Sequence, residues 1–234
     1  MTEAGGEAPV SKNTANLMAV IAHAGITTVL DVGANTGQYA SRLRRAGYDG
    51  RIVSFEPLSE AHAALEAAAA GDPDWTAAPR LALGDADGEI AINVAAASDM
   101  SSALAPTAEM AALLDDARAV RRETVPLARL DTIFDTHVAP GERVLLKLDT
   151  QGFDGRVLDG AAGVMDRIAL VQSELALVPI YEGEPDWRAM IDRMAREGFT
   201  PVLFIPGYFN RRTARLIAMD GVFARNPGDA APRR

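Results

Sequence analysis

From residue 13 the apolar positions recur at helical spacing, with Leu17, Ile21 and Ala24 on one face, Asn13 or Thr14 as the cap and Gly25 as the stop. Residues 29–32 are a short, largely apolar run, expected as a buried strand, that ends in the glycine-bearing segment 33–37. Tyr39, Leu43 and Ala46 mark the next helix and Gly47 its end. Residues 51–56 (RIVSFE) predict a second strand closed by Pro57, and Leu58, Ala61 and Leu65 space a helix over residues 58–70. Gly71, Asp72 and Pro73 then break the chain. Residues 75–83 read as a third strand, residues 85–88 (DADG) as a turn and residues 89–94 as a hairpin partner.

Residues 95–123 fit no strand, although Pro106 and Thr107 can start a helix carrying Met110, Leu113 and Ala117. Residues 125–134 are mixed. Residues 143–149 (RVLLKLD) have the near-continuous apolar character of a strand buried on both faces. A helix around residues 154–166 and a strand over 168–174 follow. Pro185 opens a helix through Arg196, with Trp187, Ile191 and Met194 on one face and Gly198 as its stop. The last strands, 202–205 and 215–225, are joined by PGYFNRRT.

Strand and helix thus alternate from residue 29 to residue 198, which implies an α/β fold, doubly wound, with helices on both faces of a parallel sheet. Right-handed crossovers then put a ligand at the carboxyl ends of the strands. The final pair should be antiparallel. No repeat or linker divides the chain, so residues 13–225 are expected to be one domain between flexible tails at 1–12 and 226–234.

A length of 234 residues suits one large domain with a sizeable core. The formal charge of −9 argues against binding nucleic acid, which rests on neutralising phosphates. No apolar run approaches the ~20 residues of a membrane helix, so no membrane insertion is expected. The N-terminal residues lack the basic start and apolar core of a secretory signal. With no cysteine, disulfides, thiolate metal sites and a cysteine nucleophile are excluded, and a cytoplasmic location is expected. Lys12 and Lys147 are the only lysines, a bias towards arginine that reads as coding preference. A homo-oligomer is compatible with all of this.

Gly33 and Gly37 stand where a buried strand turns into a helix, spaced G-x-x-x-G instead of the G-x-G-x-x-G of dinucleotide sites. Asp31 precedes them, and a carboxylate aimed at that turn repels a pyrophosphate and suits a cationic amine. S-adenosylmethionine (SAM) carries an amine and a sulfonium, so charge favours it over NAD. Glu56, at the end of the second strand, can accept bonds from both ribose hydroxyls. Asp85, after the third strand, can accept one from an adenine amino group or serve only its turn.

Here the chain resembles the FkbM family of SAM-dependent methyltransferases. The resemblance rests on LDVGANTGQYA (30–40), IVSFEP (52–57), Ser101–Ser102, LLKLDTQGFDGRVLDGA (145–161), VQSELALVPIYEG (171–183) and DGVFAR (220–225). It implies a Rossmann-like, mostly parallel seven-stranded sheet with an antiparallel C-terminal hairpin. It also implies methyl transfer from SAM to a hydroxyl of a sugar, polyketide or other natural-product or cell-envelope acceptor. The cofactor-binding set is then Asp31, Gly33, Ala34, Asn35, Gly37, Glu56, Pro57, Gly84, Asp85 and Ser102. One position departs: family members often read D-x-E-G where this chain has Asp149-Thr-Gln151-Gly, and Gln151 cannot be an ionised base.

Methylating oxygen requires the acceptor proton to leave, because a neutral alcohol is a poor nucleophile. Asp149 and Glu174 end two adjacent strands and either can take that proton. Together they can also hold a divalent cation with waters, so a metal stays open. Lys147 shares a strand face with Asp149 and either neutralises an acid or tunes the base. His23, His62 and His137 are expected to be surface or packing residues. Tyr181, Trp187, Tyr208 and Phe209 are candidates for an acceptor pocket or for packing. The alternatives are a silent SAM-binding module and an NAD-dependent oxidoreductase, the latter disfavoured by the missing third glycine and by Asp31.

Overall fold

The computed structural model describes residues 10–95, 100–108, 110 and 119–225. In chain order the first elements are α1 (Lys12–Ala24), β1 (Thr28–Val32), α2 (Gln38–Arg45), β2 (Arg51–Phe55), α3 (Ser59–Ala69) and β3 (Trp75–Ala77). Three strands follow, β4 (Ala82–Leu83), β5 (Gly88–Ala95) and β6 (Ala119–Ala128). Then come α4 (Leu130–His137), β7 (Val144–Leu148), α5 (Asp154–Gly160), a 3-10 segment (Ala162–Arg167), β8 (Ile168–Ala176) and α6 (Trp187–Arg196). The chain closes with β9 (Phe199–Pro206), β10 (Phe209–Asn210), β11 (Arg215–Leu216) and β12 (Ala218–Arg225).

Seven strands form the main sheet in the order β3-β2-β1-β7-β8-β12-β9. The first five pair in parallel, and β12 runs antiparallel to both β8 and β9. β1 and β7 are central and buried at every residue, which explains their apolar sequences. On one face Leu30, Val53, Leu146 and Val171 pack against Phe134 of α4, Val157 of α5 and Met194 of α6. On the other, Val29, Ile52, Leu145 and Leu170 pack against Leu17 of α1 and Leu43 of α2. The fold is the expected doubly wound α/β sheet with an antiparallel C-terminal pair.

The differences from the sequence reading are local. The cap of α1 is Ser11, whose Oγ accepts from Thr14 N at 3.1 Å, so the helix starts at Lys12 and shortens the expected tail. Residues 1–9 and 226–234, with the remainder of the tail expectations, lie outside the described residues, as do Leu113 and Ala117. Residues 75–83 are not one strand. Pro79 cannot donate to a ladder, and beyond Ala77 the chain leaves the main sheet and joins a second one, β4-β6-β5. The partner of β5 is therefore β6 and not residues 75–83. β6 was hidden because Val125 is its one large apolar side chain in the core against Leu58, Ile92 and Val94. The helix expected over 154–166 divides at the glycines 160 and 163 into α5 and the 3-10 segment. Residues 215–225 divide into β11, which pairs with β10, and β12.

Candidate active site

Along the α1/α2 face of the sheet the side chains change chemistry row by row towards the carboxyl ends. Val29, Ile52, Leu145 and Leu170 are in register and apolar. Two residues further on, Asp31, Ser54, Lys147 and Gln172 are in register and buried. Strand alternation brings Gly33, Glu56, Asp149 and Glu174 next, at the rim. Asp220 of β12 pairs opposite Glu174.

The middle row is a closed polar network. Lys147 Nζ lies 3.0 Å from Asp31 Oδ1 and 3.5 Å from Asp149 Oδ2, and donates to Gly33 O at 3.3 Å. Ser54 Oγ donates to Asp31 Oδ2 at 3.2 Å and accepts from Trp75 Nε1 at 3.0 Å. Tyr39 OH donates to Gln172 Oε1 at 2.8 Å. Burial alone pulls the Lys147 ammonium down, but Asp31 and Asp149 outweigh it and hold its pKa above the ordinary lysine value. Lys147 is therefore a locked cation and not a base of lowered pKa. Asp31 is fully buried against it and lines no cleft, so the carboxylate expected to meet the SAM amine is used inside the sheet.

The turn after β1 depends on its glycines. At Gly33 (φ +74°) an added Cβ would lie 2.0 Å from Asp149 O, and at Gly37 (φ +86°) 2.7 Å from the Trp75 ring. Asn35 also takes a positive φ, 48°. Gly33 N and Ala34 N donate to Phe55 O, tying the turn to the end of β2. Glu56 holds it from the side: Oε2 accepts from Asn35 N at 2.8 Å and Oε1 from Leu58 N at 2.9 Å. Burial raises the Glu56 pKa, against the lowering effect of these two N–H groups.

Two clefts open at this rim. The first encloses about 740 Å³ out to its mouth, with apolar walls from Leu58, Leu81, Leu83, Ile90, Ile92 and Phe153. Glu56, Pro57, Ser102 and Gln151 also line it. The second is polar, about 660 Å³, and includes Ala34, Tyr39, Arg42, Lys147, Gln172 and Asp220. Gly33, Asn35 and Asp149 border both.

Gly37, Gly84, Asp85 and Glu174 line neither cleft. Gly84 N donates to Ala128 O, and a Cβ there would press on Leu127 and Phe153. Asp85 Oδ2 accepts from Arg156 Nη1 at 2.7 Å in an ion pair at the surface. Ser102 is buried at the first cleft, its Oγ donating to Gln151 O at 2.6 Å. Glu174 has its Oε2 buried and without a hydrogen-bond partner. Burial, then Asp149, Asp154, Asp220 and Glu184, push its pKa well above the usual carboxylate range.

Gln151 joins Asp149 to the segment after β8. Its Nε2 donates to Asp149 Oδ1 at 2.8 Å, and its Oε1 lies 2.9 Å from Tyr181 OH. Tyr181 is buried beneath Gly152 and lines no cleft, so its place is behind the site and not in an acceptor pocket. His62 is a packing residue, with Nε2 2.8 Å from Ala78 O.

Asp220 and Arg42 were missed by the sequence reading. Burial and then Asp149 raise the Asp220 pKa to about 6, while Lys147 opposes them. It opens the DGVFAR stretch of the resemblance, but its place opposite Glu174 comes from the pairing of the returning strand. Arg42 stacks over Tyr39 at 5.0 Å. Among the described residues no three His, Cys, Asp or Glu side chains are grouped to hold a metal, and no helix is long and apolar enough to cross a membrane.

No curated protein matches the chain. Solved structures similar to it include a SAM-dependent methyltransferase from Aquifex aeolicus, 9% identical over 89% of each chain with a TM-score of 0.44. An rRNA methylase from Streptococcus thermophilus is 10% identical over 93% of this chain and 99% of that one, with a TM-score of 0.47. In sequence, residues 31–201 match the methyltransferase FkbM domain, well over half of the chain, a span that includes Gly33, Glu56, Asp149 and Glu174. The protein therefore belongs to the FkbM family of SAM-dependent methyltransferases.

Proposed function

We propose that this protein is an O-methyltransferase that acts on a hydroxyl of a small acceptor, a sugar, polyketide or other natural-product or cell-envelope compound. Residues 13–225 act as one domain in this reading, in the cytoplasm. The supporting observation is the change of chemistry along the two joined clefts. One end is apolar, Glu56 stands in the wall, and the far end opposes Arg42 to Asp220. A flat base, a ribose diol and a zwitterionic amino-acid end match that order, and the Cβ-free approach at Gly33 leaves the turn tight enough to border both clefts.

SAM supplies, when bound, a methyl group made electrophilic by its sulfonium. The apolar walls of the first cleft would hold the base and keep water away. Glu56 would accept from the ribose hydroxyls through the lone pairs its two backbone partners leave free. Asp220 would meet the amine, the part first given to Asp31, and Arg42 the carboxylate. Asp149 borders both clefts, so it is the carboxylate suited to receive the acceptor proton. Gln151 occupies its Oδ1, and Oδ2, 3.5 Å from Lys147 Nζ, keeps a lone pair for that proton. The amide at residue 151 thus orients the base.

Calorimetry with SAM, S-adenosylhomocysteine (SAH) and NAD tests the cofactor. The expected result is binding of the first two alone, whereas NAD binding without SAH would return the oxidoreductase reading. Methyl transfer to a panel of glycosides and polyketides tests the acceptor. Binding of SAH with no turnover on any hydroxyl would favour a silent module.

A further inference from the structure

Beside Glu56 the wall of the first cleft is the start of α3, and two carboxylates from different sheets hold its backbone donors. Leu58 caps the helix without a polar side chain, so the first N–H groups need acceptors from elsewhere. Glu56, just beyond β2 of the main sheet, accepts from Leu58 N through Oε1. Glu123, on β6 of the second sheet, takes the next donor. Its Oε1 accepts from Ser59 N at 3.0 Å and its Oε2 from Ser59 Oγ at 3.2 Å. Glu123 is fixed in turn. Arg80 Nη1 donates to its Oε1 at 2.8 Å and to Pro57 O at 3.0 Å, and Arg121 Nη1 donates to its Oε2 at 2.7 Å. Burial alone raises the Glu123 pKa, but Arg121 and Ser59 outweigh it and hold the carboxyl below its ordinary range. Pro57 and Leu58 line the first cleft and Glu123 does not, so any effect of Glu123 on a ligand passes through this segment.

An ionised carboxylate offers about four lone-pair positions, shared equally between its oxygens. On Glu56, Asn35 N occupies one position of Oε2 and Leu58 N one of Oε1. One position on each oxygen is left, which is what a ribose diol needs. Ser59 N is the adjacent donor on the same helix end, and such an end attracts carboxylates through its N–H groups and its dipole. Burial raises the Glu56 pKa, so the anion gains from any further donor within reach. Without Glu123, Ser59 N would turn to Glu56 Oε1 and fill the position open to one ribose hydroxyl.

We infer that Glu123 is a positioning residue for the cofactor: by holding Ser59 N it leaves Glu56 an open acceptor position on each oxygen for the ribose hydroxyls of SAM. The inference rests on the reading of Glu56 as the ribose acceptor. It ties cofactor affinity to the second sheet through β6, the strand that carries Glu123.

The test is calorimetric titration of the full chain with SAH, beside melting temperatures of the unliganded protein. The variants are E123A, S59P, E123A/S59P, E56A and E123A/E56A. Ser59 is the first residue of α3, where proline is tolerated because no helical bond needs its N–H. Leu58 already has the extended backbone, ψ 132°, that a following proline requires. E123A should bind SAH about fivefold more weakly, the equivalent of one hydrogen bond. S59P removes the competing N–H, so E123A/S59P should return to within about twofold of wild type. E123A/E56A should match E56A to the same margin, because the side chain through which Glu123 acts is gone. A cap that served stability alone would lower the melting temperature of E123A and leave SAH affinity unchanged, which overturns the inference. An equal loss from E123A in the E56A background overturns it as well. So does failure of E123A/S59P to regain affinity while S59P alone binds as wild type; if S59P alone binds more weakly, the E56A comparison decides. E56A binding as tightly as wild type is a different result, which removes the ribose reading itself and this inference with it.

Discussion

Lys147 Nζ lies 3.0 Å from Asp31 Oδ1, and both side chains are enclosed by the sheet and α2. The pair joins two strands that are adjacent in space and more than a hundred residues apart in the chain. Removing one partner leaves a buried, uncompensated charge. Lys147→Met should therefore destabilise the protein by roughly 3–5 kcal/mol. Lys147→Met combined with Asp31→Leu should recover much of the loss. Urea denaturation of the single and double variants measures this, and equal losses in both would show that the pair is not the cause.

Glu56→Gln should leave a folded protein that binds SAH about 1–3 kcal/mol more weakly, because an ionised acceptor is lost. Calorimetric titration beside far-UV circular dichroism checks both halves. Unchanged affinity would remove Glu56 from the ribose site.

The raised pKa of Asp220 has a defined effect on stability. Its folded value of about 6 lies above the ordinary aspartate value of about 3.9, so the folded state binds more protons between them. Stability from this group is complete below about pH 4 and is lost as pH rises through about 6, up to about 3 kcal/mol. Asp220→Asn should flatten that dependence and raise the melting temperature at pH 7.5, while weakening SAM through its amine. A melting series from pH 4.5 to 8 decides it. A wild-type curve parallel to that of the variant would refute the assignment.

Gln151→Glu would set a second carboxylate beside Asp149 Oδ1, in surroundings that already hold Glu174 and Asp220. The new group should have a raised folded pKa, so its penalty should grow as pH rises and shrink in acid. Melting temperatures at pH 5 and pH 8 should differ more for the variant than for wild type. An equal loss at both would point to packing around Tyr181.

Part of the candidate site was legible because β1 and β7 are mostly apolar and are followed by Gly33 and Asp149. Glu56 was a candidate because it follows the second strand. Asp31 was misread for a physical reason: alternation says which face a residue takes, but not that Lys147 stands in register across from it. The ion pair of Asp85 with Arg156 was hidden in the same way. β6 escaped because its exposed face carries Arg121, Arg122 and Glu123, whose ion pairs and hydrogen bonds no hydropathy pattern reveals. Asp220 stood in the DGVFAR stretch, but its place beside the cleft was not readable until the returning strand was paired with β8.

β12 follows β9 in the chain yet lies between β8 and β9 in the sheet. During synthesis β8 must therefore keep one edge open until residues 218–225 have emerged, and β9 has no place in the sheet before then. An open edge beside side chains such as Val171 and Leu175 is a template for pairing with other chains. The same late strand carries Asp220, so the polar cleft and the sealed sheet are completed in one step. A nascent chain that has not yet closed its sheet would lack Asp220, the residue proposed to meet the amine of SAM.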